Sequence, residues 1–212
     1  MQLTMLGVGS SAGTPMIGCK CPTCTSIDPR NSRTRCSSVI QLENGKSILI
    51  DTGPDLRQQA LREGLTQIDA VLYTHTHADH LHGIDDLRAF CQIQRSQIPL
   101  YGNLDAMQHL ADKFGYTLRE PSHFWDLPVL KANVISAPFQ LFDQIVTPIP
   151  LKHGNSDIYG YRIGNIAYLT DVSSIPEDSL ALLQGLKILL LDCLRYTTHY
   201  THINLEQSLH YA

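Results

Sequence analysis

A chain of 212 residues, 43% hydrophobic and 17% charged, is long enough for one sizeable core and has the balance of a globular domain. A formal charge of -4 and a pI near 6.2 give no general attraction to a phosphate backbone, which disfavours a dedicated polynucleotide binder. The N-terminus lacks a basic n-region with an apolar stretch, and no window approaches the roughly 18 apolar residues of a membrane span, so a cytoplasmic location is expected.

Residues 3–6 read as a first strand, followed by a loop of small residues, Gly7-Val8-Gly9-Ser10-Ser11-Ala12-Gly13-Thr14-Pro15. Gly7-x-Gly9 has neither a third spaced glycine nor a following helical pattern, so it reads as a turn at the edge of a site and not as a dinucleotide loop. Cysteines crowd into Cys19-Lys20-Cys21-Pro22-Thr23-Cys24, while Cys36, Cys91 and Cys193 are scattered and read as small core residues, which is no secreted disulfide framework. Residues 37–42 and 46–51 pair around Asn44-Gly45, a dipeptide that tolerates the positive φ of a tight hairpin. Helical spacing over 54–64 starts near Pro54 and stops at Gly64, and residues 68–74 form a short apolar strand that runs into a loop.

Helices are predicted over 85–94 and 104–114. Residues 117–145 alternate weakly around Pro121, Pro128 and Pro138 and read as short strands or a lid. Strands follow at 145–151, 158–163 and 166–170, the last two joined by a Gly164-Asn165 turn. A capped helix over 174–184, an apolar strand over 187–192 and a helix that opens at Asn204 and is still running at Ala212 complete the series. No repeat or linker interrupts it, and residues 1–212 are taken as a single domain.

The segment Tyr73-Thr74-His75-Thr76-His77-Ala78-Asp79-His80 packs three imidazoles and a carboxylate into six residues, a density that folding alone does not produce. Imidazole nitrogen and carboxylate oxygen suit zinc, manganese or iron far better than calcium or magnesium. Asp51, His153 and Asp171 also stand just beyond predicted strands, and such ends are expected to converge at one sheet edge. The turn after Thr74 can fold His75 and His77 onto one ion and Asp79 and His80 onto a second. Asp171 has an alternative reading as a helix cap. Thiolates at Cys19, Cys21 and Cys24 can wrap a tetrahedral zinc at Zn–S bonds of about 2.3 Å, with Gly18 and Pro22 permitting the curl; the alternative is three uncomplexed or disulfide-prone thiols.

These residues resemble the metallo-β-lactamase superfamily, whose pattern is HxHxDH, a more distant His, a bridging Asp and a final His. The resemblance implies an α/β fold, a four-layer αββα sandwich, with His75, His77 and His153 on one ion, Asp79 and His80 on the other, and Asp171 bridging. Asp51 matches the Asp-Gly element that the family uses behind the site. His210 follows Asn204 too closely to match the final histidine, so a chain lacking the C-terminal end of the fold is expected. Gly18-Cys19-Lys20-Cys21-Pro22-Thr23-Cys24 and Gly83-Ile84-Asp85-Asp86-Leu87-Arg88 resemble the phosphoribosyl 1,2-cyclic phosphate phosphodiesterase branch, which implies a structural zinc on Cys19, Cys21 and Cys24. A similar knuckle in a pyrroloquinoline quinone biosynthesis protein means that this element alone does not fix the substrate.

Tyr200-Thr201-His202-Ile203-Asn204 resembles the His-x-Thr region of the phosphodiesterase branches, which implies His202 as general acid, with His199 as the alternative and a purely structural His202 as a third reading. Asp79 counts as catalytic as well as a ligand, and either Asp192 or Asp51 is expected to orient an imidazole. The implied function is a metal-dependent phosphodiesterase with two divalent transition-metal ions, zinc or manganese, whose bridging hydroxide opens a small, ribose cyclic phosphodiester to a phosphomonoester. The alternatives are another hydrolase of the same fold, such as a tRNA 3'-processing endonuclease, thioesterase or lactonase, and a non-catalytic cofactor-biosynthesis accessory. The expected partner is a small phosphodiester substrate, without nucleic acid or membrane, and a homodimer is left open. Arg88 and Arg195 read as salt-bridged within the fold sooner than as phosphate ligands. Tyr196 and Trp125 are candidates to stack a ribose or base, and His82, His109, His123 and His210 read as surface or supporting groups.

Overall fold

Short apolar runs punctuated by glycine build two sheets in the computed structural model, which describes residues 1–118 and 130–212. Pro121, His123, Trp125 and Pro128 lie outside the described residues. The chain divides into two compact units, Met1–Asn133 and Val134–Ala212, each with its own sheet.

In the first unit, β1 (Gln2–Gly7), β2 (Ser37–Gln41) and β3 (Ser47–Ile50) pair antiparallel. The β2–β3 turn places only Gly45 at positive φ, 82°; the amide of Leu42 donates to the Lys46 carbonyl and that of Gly45 to the Leu42 carbonyl, so the loop spans three residues and Asn44 needs no left-handed backbone. Helix α1 (Leu56–Glu63) stops where Gly64, at φ 63°, turns its amide back onto the Ala60 and Leu61 carbonyls. β4 (Ala70–Leu72) then runs parallel to β3, and every residue of both strands is buried, as expected of parallel strands covered on two faces.

The predicted loop after β4 contains one helical turn, α2 (Ala78–Leu81), too short to leave a periodic signal. A 3-10 turn at Ile84–Asp86 takes the first residues of the helix expected from 85, leaving α3 (Leu87–Gln94). No strand is predicted at β5 (Ile98–Gly102), which carries Pro99 in its interior; it nonetheless pairs parallel with β4 and alternates buried and half-buried positions. α4 (Leu104–Phe114) matches its prediction, its amide at Ala106 bonded to the Asn103 side chain, and β6 (Leu130–Val134) closes the order β1-β2-β3-β4-β5-β6. Leu49, Val71, Tyr73, Leu87 and Leu100 form the heart of this unit's core.

The second sheet has the order β11-β10-β9-β8-β7. β7 (Phe139–Leu141), β8 (Gln144–His153), β9 (Ser156–Ile163) and β10 (Ile166–Leu169) are antiparallel neighbours, with Gly154 and Gly164 at positive φ in the connecting turns. The helix expected over 174–184 shrinks to α5 (Glu177–Leu180) and a 3-10 turn at Ala181–Leu183, since Pro176 occupies the cap position and has no side chain to accept an amide. β11 (Ile188–Leu191) pairs parallel with β10, and α6 (Leu205–Tyr211) follows. Ile149, Leu151, Ala167, Leu169, Val172 and Ile203 make the second core. Among the described residues no helix is long and apolar enough to cross a membrane.

Asn204 caps α6 with a reciprocal pair: its side chain accepts from the Gln207 amide, and the Gln207 side chain accepts from the Asn204 amide. An Asn204→Ala change should therefore cost about 1 kcal/mol in urea unfolding, and Asn204→Asp should retain most of it.

Candidate metal centre

Asp51 leaves the end of β3 in the left-handed region, φ 61°, with no exposed surface. Its Oδ1 accepts the Thr74 amide at 2.8 Å, and its Oδ2 accepts the Thr74 hydroxyl and Nδ1–H of His80, both at 2.7 Å. The Thr74 oxygen stands 2.9 Å from Nδ1 of His75. Because its one proton goes to Asp51, that oxygen accepts from His75 Nδ1–H. Both imidazoles are thus set in the tautomer whose lone pair sits on Nε2, the form a metal requires. A buried carboxylate is tolerated here because three donors replace its water.

The neighbouring backbone enforces this arrangement. A Cβ on Gly53 would collide with the Asp79 carbonyl oxygen, and one on Gly83 with that of Gly53. The Thr52 amide meets the His80 carbonyl at 2.7 Å, and the Gly83 amide meets the Thr52 carbonyl at 2.7 Å, so the turn after β3 lies directly against α2. The His75 ring is 4.6 Å from that of His77 and 4.2 Å from that of His80. Donor atoms of His75 and His77 lie within 4.8 Å of one another, as do those of Asp79 and His80.

The second unit repeats the scheme. β8 ends at His153, whose Nδ1–H donates to the Thr201 carbonyl at 2.8 Å, again leaving the lone pair on Nε2. Ser173 bonds the Gly154 amide and the Lys152 carbonyl, each at 2.9 Å, fastening the turn after β8 to the loop after β10. In that loop Asp171 adopts φ 57° and accepts the Thr170 hydroxyl at 2.7 Å; it does not cap α5. Donor atoms of His153 and Asp171 lie within 4.8 Å of one another. The ligand-type side chains therefore stand at strand ends of two sheets, not along one sheet edge as expected.

Asp192 follows β11 and accepts the Val172 amide at 3.0 Å and His202 Nδ1–H at 2.7 Å. The question of which aspartate orients an imidazole has a double answer: Asp51 holds His80 and Asp192 holds His202. The His202 ring lies 4.9 Å from that of His153 and 5.3 Å from that of His199. Burial and the Arg195 charge hold His199 below the ordinary imidazole range. Among the described residues Arg195 forms no ion pair of the expected kind; its Nε and Nη2 donate to the Thr197 and Thr198 carbonyls. Arg88 does meet a carboxylate, Asp85, at 3.4 Å. His82 rests against Phe114 with ring centres 5.5 Å apart, and Tyr196 is exposed.

The sulfurs of Cys19, Cys21 and Cys24 lie within 4.8 Å of one another, and Gly18 supplies φ 77° for the curl. Hydrogen bonds from Cys24 and Cys19 lower Cys21 to about 7, whereas at Cys24 the pull of the Met16 amide is outweighed by burial and the neighbouring thiols, and its pKa rises. Of the three scattered cysteines only Cys91 is a buried core residue; Cys193 is exposed and Cys36 half-buried, so the core reading fails for those two. The Thr74 hydroxyl and the Thr201 carbonyl went unforeseen. A threonine preceding the histidine run was a usable signal for the first, and a backbone carbonyl leaves none.

A model described as the beta-lactamase superfamily domain matches residues 46–212. The chain is 38% identical over 212 residues to an octanoyltransferase of Porphyromonas gingivalis, covering 99% of this chain and 42% of that protein, and so spans less than half of that relative's length. It is 35% identical over 101 residues to coenzyme PQQ synthesis protein B of Methylobacterium radiotolerans, covering 42% of this chain and 34% of that one. Among solved structures, a diphosphatase from the PhnP family superposes with a TM-score of 0.90 at 44% identity, covering 99% of this chain and 81% of that chain. Zn2+-bound PqqB from Methylobacterium extorquens superposes with a TM-score of 0.76 at 20% identity, covering 97% and 81%, a likeness of fold alone.

Asp51→Asn replaces the shared acceptor with a group of lower charge. It should weaken divalent-metal binding roughly 10- to 100-fold in a chelator competition, as loss of a ligand-orienting partner does, while far-ultraviolet circular dichroism stays native.

Proposed function

We propose, because the chain belongs to the beta-lactamase superfamily and has the metallo-β-lactamase fold, that it is a metal-dependent hydrolase of a small phosphodiester, first of all a ribose cyclic phosphate, with a phosphomonoester as product. In this reading His75, His77 and His153 hold one divalent transition-metal ion, Asp79 and His80 hold a second, and Asp171 serves both, with zinc or manganese as the ion. Cys19, Cys21 and Cys24 hold a structural zinc. The observation that carries the reading is the use of Nδ1 by neighbouring groups in His75, His80 and His153, which suits each Nε2 to such a cation. Bound ions supply Lewis acidity at a phosphoryl oxygen and lower the pKa of water at the site.

The chain's own groups do the rest. Asp192 accepts Nδ1–H of His202 and so fixes the ring, and in this reading a proton at its Nε2 passes to the departing alkoxide. Asp79 adds a carboxylate that orients the attacking water. Similarity to a PhnP-family diphosphatase supports phosphorus chemistry and favours, as a second substrate class, a phosphoanhydride. An anhydride departs as a stabilised phosphate and asks less of His202 than an alkoxide does. The name octanoyltransferase belongs to a protein of which this chain spans 42%, and it is not carried over.

Hydrolysis of bis-p-nitrophenyl phosphate and elemental analysis test the reading together. His77→Ala should lower bound metal and abolish turnover; His202→Ala should keep the metal and reduce kcat roughly 10²- to 10⁴-fold, most for poor leaving groups. Metal without turnover on any phosphate ester would favour the accessory reading, and loss of metal in His202→Ala would remove His202 as acid. For the knuckle, metal-stripped protein should react with iodoacetamide at Cys21 increasingly as pH rises through about 7, where the thiolate forms, and added zinc should suppress that reaction.

A further inference from the structure

Thr201 touches two histidines with opposite effect. Its carbonyl accepts Nδ1–H of His153, while its amide points at Nδ1 of His199 at 3.3 Å and its hydroxyl lies 2.9 Å from the same atom. A backbone amide can only donate, so Nδ1 of His199 is an acceptor and the ring proton resides on Nε2. Among the described residues no hydrogen bond engages that Nε2–H, and the side chain is half-buried. One residue thereby gives its two neighbours complementary tautomers: His153 offers a lone pair at Nε2, His199 a proton.

The loop that carries His199 is held in place. A Cβ on Gly154 would lie 3.0 Å from Thr201 Cγ2 and 3.1 Å from Tyr200 Cε2, so the loop rests on the turn that follows His153. The rings of His153, His202 and His199 form a row with spacings of 4.9 Å and 5.3 Å. A group that takes a proton from His202 is thus one ring away from the His199 donor. An imidazole with Nε2–H cannot ligate a cation through that atom, and as a neutral ring it is no proton source near neutral pH. What it offers is a hydrogen bond to an anion.

We propose that His199 binds the phosphoryl group of the substrate as a neutral Nε2–H donor whose tautomer Thr201 fixes, and that it is not the general acid. The assignment rests on the phosphodiesterase reading for its substrate, but the tautomer and the anion contact can be measured without turnover. His199→Leu, which has no donor, should raise KM for bis-p-nitrophenyl phosphate and weaken inhibition by inorganic phosphate by the same factor, roughly 10- to 100-fold for a hydrogen bond to a charged group. Metal content, the acid limb of the pH profile and the dependence on leaving group should stay those of the parent. His199→Gln, which places an N–H near the position of Nε2, should recover most of the loss, a rescue that a merely structural role would not give.

Long-range proton–nitrogen correlation spectra of the unaltered protein should show Nδ1 of His199 unprotonated. A protonated Nδ1, an unchanged KM in His199→Leu, or a steeper leaving-group dependence in that variant would overturn the proposal. If the unaltered protein hydrolyses no phosphate ester, the functional reading falls; the spectrum and inorganic phosphate titrations of the parent and His199→Leu still decide this one.

Discussion

One buried charge organises the first unit. Asp51 gathers an amide, a hydroxyl and an imidazole N–H around a carboxylate that has no contact with solvent. Two of those donors belong to Thr74, just beyond β4, and the third to His80 within α2, so one side chain fixes both ends of the histidine run. The backbone accepts the cost: Asp51 is in the left-handed region, which non-glycine residues seldom occupy unless their surroundings over-determine them. Gly53 and Gly83 then let backbone meet backbone, leaving no room for a side chain to loosen the contact.

The second unit uses Asp192 in the same way, between the Val172 amide and His202. Asp171 is the second carboxylate at positive φ, and it too follows the end of a strand. A sharp turn after a strand aims a short acidic side chain away from the sheet's two faces, which an extended continuation could not do. The strain is local, and the buried strand that precedes each turn, β3 or β10, holds it in place.

Hydrogen bonding at Nδ1 gives these histidines different chemistry from identical side chains. A carboxylate or carbonyl acceptor at Nδ1 leaves Nε2 basic, while an amide at Nδ1 makes Nε2 a donor. Ring identity, the property a sequence displays, is thus the coarser half of the site. The partner of the far nitrogen is the finer half, and it comes from Thr74, Asp51, Thr201 and Asp192.

The sequence by itself determined the density of ligand-type residues at 75–80, the close cysteines, the hairpin at Gly45, α4 to its ends and the opening of α6 at Asn204. These rest on local physics: spacing, backbone freedom and capping act within a few residues of one another. It misjudged elements whose evidence is not local. α2 is a single turn, β5 contains a proline that only its place between two other strands overrides, and α5 is cut short where a proline removes the cap. Only the tertiary structure decided which aspartate serves which imidazole and which nitrogen of each ring carries the proton, because Asp51 and His80 are 29 residues apart, and His153 and Thr201 are 48 apart. Such pairs are joined by the packing of strands and turns, which no neighbouring residue in the chain records.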